Sequence, residues 1–150
     1  MNRLLLGLAA AACCLAQTLE QPSRSVTDPG VVTTRQAITP AGVSSIFQGR
    51  VYGVVWAGDT GDLWVLNATA VYRLDWKNNR VVVRLPHGGT PGNQSIAVDP
   101  ASGDALIGNA IRGDQGGAVS AAVSVARGDT LASLVRGLGR QLPGAPAVAA

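Results

Sequence analysis

Two short turns of the chain carry the carboxylates best placed to do chemistry. The first runs from Asp59 to Asp62 and the second from Asp99 to Asp104. Carboxylates this close together could hold Ca²⁺, which prefers about six to eight oxygen ligands. Each turn offers too few oxygens at alternate positions, and Asp, Ser and Gly are also the residues that a tight turn selects. We therefore predict structural turns without a metal site.

The only histidine, His87, lies in the loop sequence Pro-His-Gly-Gly-Thr-Pro-Gly. No second histidine offers a proton relay, no His/Cys spacing matches zinc, and no Ser or Cys stands in a nucleophile-elbow context. The glycine-rich loop lacks the Lys-Ser/Thr ending of a phosphate-binding loop. We predict an exposed loop histidine, with no catalytic residue and no cofactor in this chain.

These candidate residues sit within an internal repeat. The stretch from Gly53 to Asn67 aligns without a gap to the stretch from Ser95 to Asn109, at an offset of 42 residues. The alignment matches Gly61 with Gly103, Asp62 with Asp104, and Asn67 with Asn109. A strand, a polar turn and a second strand repeated at this period indicate an array of small β units that stack on their neighbours.

Each repeat continues into a second hairpin. In the first repeat a Lys-Asn-Asn-Arg turn divides the β-favouring residues from Val71 to Leu85. In the second, Arg127 to Asp129 separates the apolar runs Val119 to Ala126 and Leu131 to Leu138, and about ten residues are inserted before this hairpin. A third repeat begins at Gly144, so we expect the chain to be a fragment of a longer protein.

The predicted organisation has three parts: a signal peptide at 1–16, a linker or leading strand at 17–45, and repeats at 46–150. The repeats divide into units at about 51–92 and 93–143 and the start of a third at 144–150. The apolar run from Leu4 to Ala12 follows one positive charge and is shorter than the ~20 residues of a membrane-spanning helix. We predict a secreted or periplasmic protein without a transmembrane span; lipoprotein anchoring through Cys13 is the weaker alternative, because Ala10 stands where such sequences usually carry Leu.

Composition favours strands over helices. The 150 residues are 47% apolar and include 19 glycines, which suits many turns and short strands. The formal net charge is +3, and the arginines form no basic stripe, so nucleic-acid binding is not expected. Three tryptophans alternate with apolar neighbours and are predicted to pack between adjacent sheets: Trp56, Trp64 and Trp76.

Two loops are the predicted contact surface for a partner, because loops between repeat units often carry binding residues. One loop holds His87, Thr90 and Asn93, and the inserted stretch holds Arg112, Asp114 and Gln115.

The segments GDLWVLN, VYRLDWKNNRVV and SIAVDPASGDALI resemble blades of bacterial β-propellers of the NHL, YncE-like (YVTN) and SBBP repeat families. The resemblance covers about Val51 to Ala150. It implies an all-β fold of four-stranded antiparallel sheets arranged around a central channel, with the loops at one end forming the binding surface.

Two functions compete at this stage. The first is an exported binding or scaffold module with a protein, glycan or peptide partner. The alternative is the N-terminal part of a propeller enzyme of lactonase-like or quinoprotein-like type, or of a YncE-like propeller fused to a phosphatase-like hydrolase. Open strands at the ends of an incomplete array could also support self-association through sheet edges.

Overall fold

A computed structural model of the chain describes residues 22–24, 44–112, 119–139 and Pro146. These residues contain ten β-strands and one 3-10 turn at Gly58–Thr60, and no α-helix occurs among them. The described part of the chain is therefore all-β. The strands are β1 (Ser23–Arg24), β2 (Ser45–Ile46), β3 (Val51–Trp56), β4 (Leu63–Asn67), β5 (Ala70–Asp75), β6 (Arg80–Pro86), β7 (Thr90–Val98), β8 (Ala105–Arg112), β9 (Val119–Arg127) and β10 (Thr130–Val135).

Eight strands form two four-stranded antiparallel sheets. Sheet one has the order β3-β4-β5-β6 and sheet two the order β7-β8-β9-β10, so strands that follow one another in the chain are paired. Both predicted second hairpins are confirmed: β5 pairs with β6, and β9 pairs with β10. Gly128, with a φ of 55°, takes the left-handed conformation that the short β9–β10 turn requires.

The insertion in the second repeat is shared between strands and the link that joins them. Strands β8 and β9 have 8 and 9 residues, against 5 and 6 in β4 and β5. The link between β8 and β9 spans positions 113–118, whereas only Ala68 and Thr69 join β4 to β5. Most of the additional chain therefore extends the ladder of sheet two.

The two acidic turns repeat each other in backbone geometry. In each, the carbonyl of the closing aspartate, Asp62 or Asp104, accepts a hydrogen bond of 2.9 Å from the N–H five residues earlier. The preceding glycines, Gly61 and Gly103, have φ values of 71° and 73°. This left-handed conformation favours glycine, which explains why the residue recurs at this point of the repeat.

Side chains close these turns from within. The hydroxyls of Thr60 and Ser102 accept hydrogen bonds from the backbone N–H of Asp62 and Asp104, at 3.4 and 3.3 Å. Asp99 accepts a backbone N–H two residues on at 2.9 Å, and the Ser102 hydroxyl at 2.8 Å. The structural role predicted for these turn residues is confirmed.

Apolar side chains fill the space between the two sheets. Trp64 is 1% exposed, and its indole N–H donates to the Gly103 carbonyl in the turn between β7 and β8 at 3.2 Å. A Cβ on Gly53 would lie 2.7 Å from Cγ2 of Ile96, so glycine is what permits this close approach of β3 to β7. The buried members of this core are Ala57, Trp64, Leu66, Val71, Leu85, Ile96, Ala105, Ile107 and Ala126.

The opposite face of sheet one carries a second apolar cluster and an open groove of about 740 Å³. Phe47, beside β2, covers part of this face and contacts Tyr72 with ring centroids 5.2 Å apart. We call this space the outer groove. It is lined by Ser45, Phe47, Val51, Val54, Leu63, Val65, Leu74, Trp76 and Lys77.

The tryptophans divide between the two faces of sheet one. Trp64 lies between the sheets, as predicted. For Trp56 and Trp76 the prediction is wrong: they are 57% and 38% exposed and contact each other edge to face at 6.0 Å. They lie toward the face of sheet one that sheet two does not cover, so among the described residues no second sheet is available to bury them.

The leading residues are held at the β5–β6 turn. Strands β1 and β2 pair with each other, and the Asn79 amide donates to the Pro22 carbonyl at 2.6 Å. Asn79 has a φ of 51°, a conformation that Asn tolerates better than most residues.

Several sequence predictions concern residues outside the described ranges. These are the signal peptide at 1–16 with Cys13, most of the linker or leading strand at 17–45, and nearly all of the third repeat at 144–150. No helix within the described residues has the length and apolar character needed to cross a membrane.

Candidate functional site

A polar pocket of about 320 Å³ opens between the end of β6 and the middle strands of sheet two. Strand β6 delivers the loop containing His87, while β8, β9 and β10 supply the opposite wall. The walls of the pocket therefore come from both sheets, and neither sheet alone would form it. It is lined by Pro86, His87, Gly88, Asn109, Ile111, Arg112, Ser124, Leu131, Ser133 and Arg136.

Asn109 is the buried polar residue of this pocket. The residue is 2% exposed, and its Oδ1 has no hydrogen-bond partner among the described residues. A buried carbonyl oxygen without a donor costs free energy, and most such groups in proteins are paired. Asn109, which lines the pocket, therefore carries an unsatisfied and buried hydrogen-bond acceptor.

Comparison with the equivalent residue of the first repeat explains why Asn109 is left in this state. In sheet one, Asn67 Oδ1 accepts from the Thr69 backbone N–H at 3.4 Å, because the chain turns there. The residue equivalent to Thr69 is Ile111, which lies within the extended β8 and pairs with Ser120. The insertion that lengthens β8 thus removes the local turn that satisfies the asparagine in the first repeat.

His87 contacts two backbone carbonyls, one at the end of β4 and one in its own loop. Its Nε2 lies 2.9 Å from the Asn67 carbonyl oxygen, and its Nδ1 lies 3.2 Å from the Gly89 carbonyl oxygen. A neutral imidazole can donate to only one of these carbonyls, whereas the imidazolium can donate to both. His87 is partly buried rather than freely exposed, so the predicted exposed loop histidine is in fact anchored.

Gly89 allows this loop to approach Asn109. A Cβ at position 89 would lie 2.7 Å from Asn109 Nδ2 and 2.9 Å from the Ala110 carbonyl oxygen. At Gly88, by contrast, an added Cβ would meet no atom within 4 Å. The two adjacent glycines therefore play different parts, and only the second is required by packing.

The charged lining of the pocket is basic. Arg112 is exposed at the end of β8 and forms no ion pair with a carboxylate of the described residues. Arg136 donates from Nε to the Ser133 hydroxyl at 3.0 Å, which positions its guanidinium at the pocket wall. The described lining residues include no carboxylate. The pocket therefore has the electrostatic character of a site for an anion.

The residues predicted as a contact surface fall in different places. His87 and Arg112 come together in the polar pocket. Thr90 begins β7 and pairs with Ala110, whereas the exposed Asn93 accepts a hydrogen bond of 3.0 Å from Arg50 across the two sheets. Neither of these two lines the pocket. Asp114 and Gln115 lie outside the described residues.

Sequence reasoning did not select Asn109, Arg136 or the serines of the pocket. Asn109 did stand out as a residue matched between the repeats, and that match is the one sequence feature that could have marked it. The carboxylates Asp62 and Asp104 instead pair with arginines at 2.8 and 2.7 Å. No group of three or more His, Cys, Asp or Glu side chains that could hold a metal occurs within the described ranges.

Comparisons of the chain with protein-family models, with curated proteins and with solved structures returned no match.

Proposed function

We propose that this chain is an exported β-propeller-type repeat module that binds or scaffolds a protein, glycan or peptide partner and has no catalytic site of its own. The observation that supports this proposal most directly is the relation between the covered face of sheet two and the open face of sheet one.

In sheet two, Ile96, Ala105 and Ile107 belong to the core that packs against sheet one. The residues 42 positions earlier are Val54, Leu63 and Val65, and all three line the outer groove. Equivalent faces of the two sheets therefore point in the same direction. Sheet one covers that face of sheet two, and the corresponding face of sheet one faces the groove.

This relation is the packing expected of an array in which every unit covers one face of its neighbour. The strand order supports a propeller-type array in particular, because each unit is a simple four-stranded antiparallel meander. The occupant that best fits the outer groove is accordingly another four-stranded unit of the same repeat. Export rests on the charge and apolar pattern of Met1 to Ala16.

The array can be tested by extending the chain. One or two further copies of residues 90–141 are joined in tandem in place of residues 142–150, where the third repeat begins, and urea unfolding is measured for each length. Because each added unit covers another open face, we expect the free energy of unfolding to rise with every unit while the transition stays cooperative.

A matched control carries Ile96→Asp and Ile107→Asp in the added copies alone. These substitutions place charge in the face that should contact the preceding unit, so the gain in stability should disappear. Added units that unfold independently, or that contribute equally with and without the aspartates, would contradict the propeller-type packing.

A further inference from the structure

We propose that the polar pocket binds the free carboxyl terminus of a peptide whose last side chain is apolar. The inference names the ligand of the proposed binding module and rests on that function. It is carried by three properties of the pocket: its basic charge, the acceptor on Asn109, and its apolar wall.

The charge of the pocket calls for an anionic ligand. Arg112 and Arg136 both line it, and Arg112 has no carboxylate partner among the described residues. Guanidinium groups present paired N–H donors that match the two oxygens of a carboxylate. A terminal carboxylate beside Arg112 would receive charge-assisted hydrogen bonds, which an uncharged ligand end would not.

The buried acceptor selects a ligand with a donor near its carboxylate. Asn109 Oδ1 lacks a partner among the described residues and is nearly inaccessible to solvent. The last peptide N–H of a chain terminus lies one residue's backbone away from the carboxylate. It is a donor only, and it would satisfy this otherwise unpaired oxygen once the Asn109 amide rotates to bring Oδ1 to the pocket surface.

The third property is the wall formed by Pro86, Ile111 and Leu131. An apolar side chain next to the terminal carboxylate would contact this wall, and burial of its surface would favour binding. The pocket volume of about 320 Å³ suits one such residue with its peptide group and lies at the small end of ligand sites. A sugar acid would meet the arginines and Asn109 but would leave this wall against hydroxyl groups.

The probe is the peptide Gly-Gly-Leu with a fluorophore on its amino end, used with either a free carboxyl terminus or a terminal amide. Fluorescence anisotropy with the full chain measures both. We expect the free acid to bind at least about tenfold more tightly than the amide, because only the acid makes charge-assisted hydrogen bonds.

Matched variants locate the binding. Arg112→Gln should weaken the free acid about tenfold, whereas Arg80→Gln, an exposed arginine at the far end of β6, should leave it unchanged. Gly89→Ala should weaken both probes, because its Cβ would lie 2.7 Å from Asn109 Nδ2. Circular dichroism checks that each variant is folded. If Gly89→Ala unfolds, the comparison of Arg112→Gln with Arg80→Gln still tests whether the pocket binds the acid.

Three outcomes would overturn the inference: equal binding of acid and amide, no binding of either at millimolar concentration, or competition by glucuronate as effective as the unlabelled free-acid peptide. If the tandem extensions gain stability and the probes still fail to bind, the ligand assignment is wrong while the repeat module stands. If the extensions gain no stability but the acid binds through Arg112, the repeat module is wrong while the ligand assignment stands.

Discussion

The two sheets are built from the same repeat and reach stability in different ways. Sheet one places large side chains such as Trp64 and Tyr72 on its two faces. Sheet two has longer strands, and small residues such as Ala105, Ala122 and Ala126 occupy its buried positions. The two sheets therefore differ in side-chain volume and in strand length, while the turn between their first two strands is the same.

The ion pair at this turn also differs between the two repeats. Asp62 pairs with Arg73. In the β4–β5 ladder, Arg73 lies opposite Trp64, the second residue of β4. Asp104 pairs with Arg127, which follows directly on the Ala105–Ala126 pair. The two arginines thus come from positions two residues apart in the repeat. The backbone of the turn is the same in both repeats, but the arginine that pairs with its aspartate comes from a different position.

The largest expected effect comes from exchanging the residues at one equivalent position of the two sheets. Trp64→Leu puts into sheet one the residue that sheet two has at the equivalent position, Leu106. It leaves a cavity between the sheets and removes the hydrogen bond to Gly103. We expect the free energy of unfolding to fall by about 2–4 kcal/mol, measured by urea denaturation.

The reciprocal variant, Leu106→Trp, is the control for this exchange. Leu106 is only half-buried and lies on the face of sheet two that points away from sheet one, so a larger ring there is not confined between the two sheets. We expect a change of less than about 1 kcal/mol. Equal losses in the two variants would show that Trp64 does not hold the sheets together.

A smaller effect is expected from the two arginines that brace the turns. The Arg73 side chain is 26% exposed and also lies 5.9 Å from the Trp64 ring centroid, whereas the Arg127 side chain is 72% exposed. Arg73→Gln should destabilise by about 0.5–1 kcal/mol and Arg127→Gln by less than about 0.5 kcal/mol. Thermal melts at low and high salt would test this order, and a larger loss from Arg127→Gln would reverse it.

The smallest expected effect is the pH dependence of the second turn. Hydrogen bonds from the Ala101 N–H and then from Ser102 hold the pKa of Asp99 below its ordinary value of 3.8. A lowered pKa in the folded state stabilises the fold above pH 3.8, and this contribution is lost as the pH falls through the folded value.

Sheet one has Ala57 at the position of Asp99, so Asp99→Ala transfers the uncharged residue of the first turn into the second. Unfolding measured from about pH 5 to about pH 2.5 should show a shallower loss of stability in this variant than in the parent chain. Parallel curves for the two proteins would mean that Asp99 does not contribute to acid sensitivity.

Much of the fold could be predicted from the sequence because its determinants are local. The alternation of apolar residues around Lys77 to Asn79 and around Gly128 specifies hairpins, and the recurring Gly-Asp pair specifies the left-handed turn. The exposure of Trp56 and Trp76 could not be predicted in this way. A strand pattern shows that a side chain shares a face with its neighbours, but not whether a second sheet covers that face.

The candidate site was less predictable for a related reason. His87 and Arg112 could be selected as loop residues, yet they line one pocket only because the two sheets pack at that point. The state of Asn109 depends on β8 continuing past the position where β4 turns, which is a property of the β8–β9 ladder. No local pattern around Asn109 distinguishes it from Asn67.

The bond between Asn79 and the Pro22 carbonyl joins residues 57 positions apart. The pairings of sheet one, in contrast, link strands that follow one another directly in the chain. Local pairings close with little loss of chain entropy and form early, whereas distant ones must wait. During synthesis, the segment around Pro22 would leave the ribosome before sheet one, but it would bind to the sheet only after the sheet has formed.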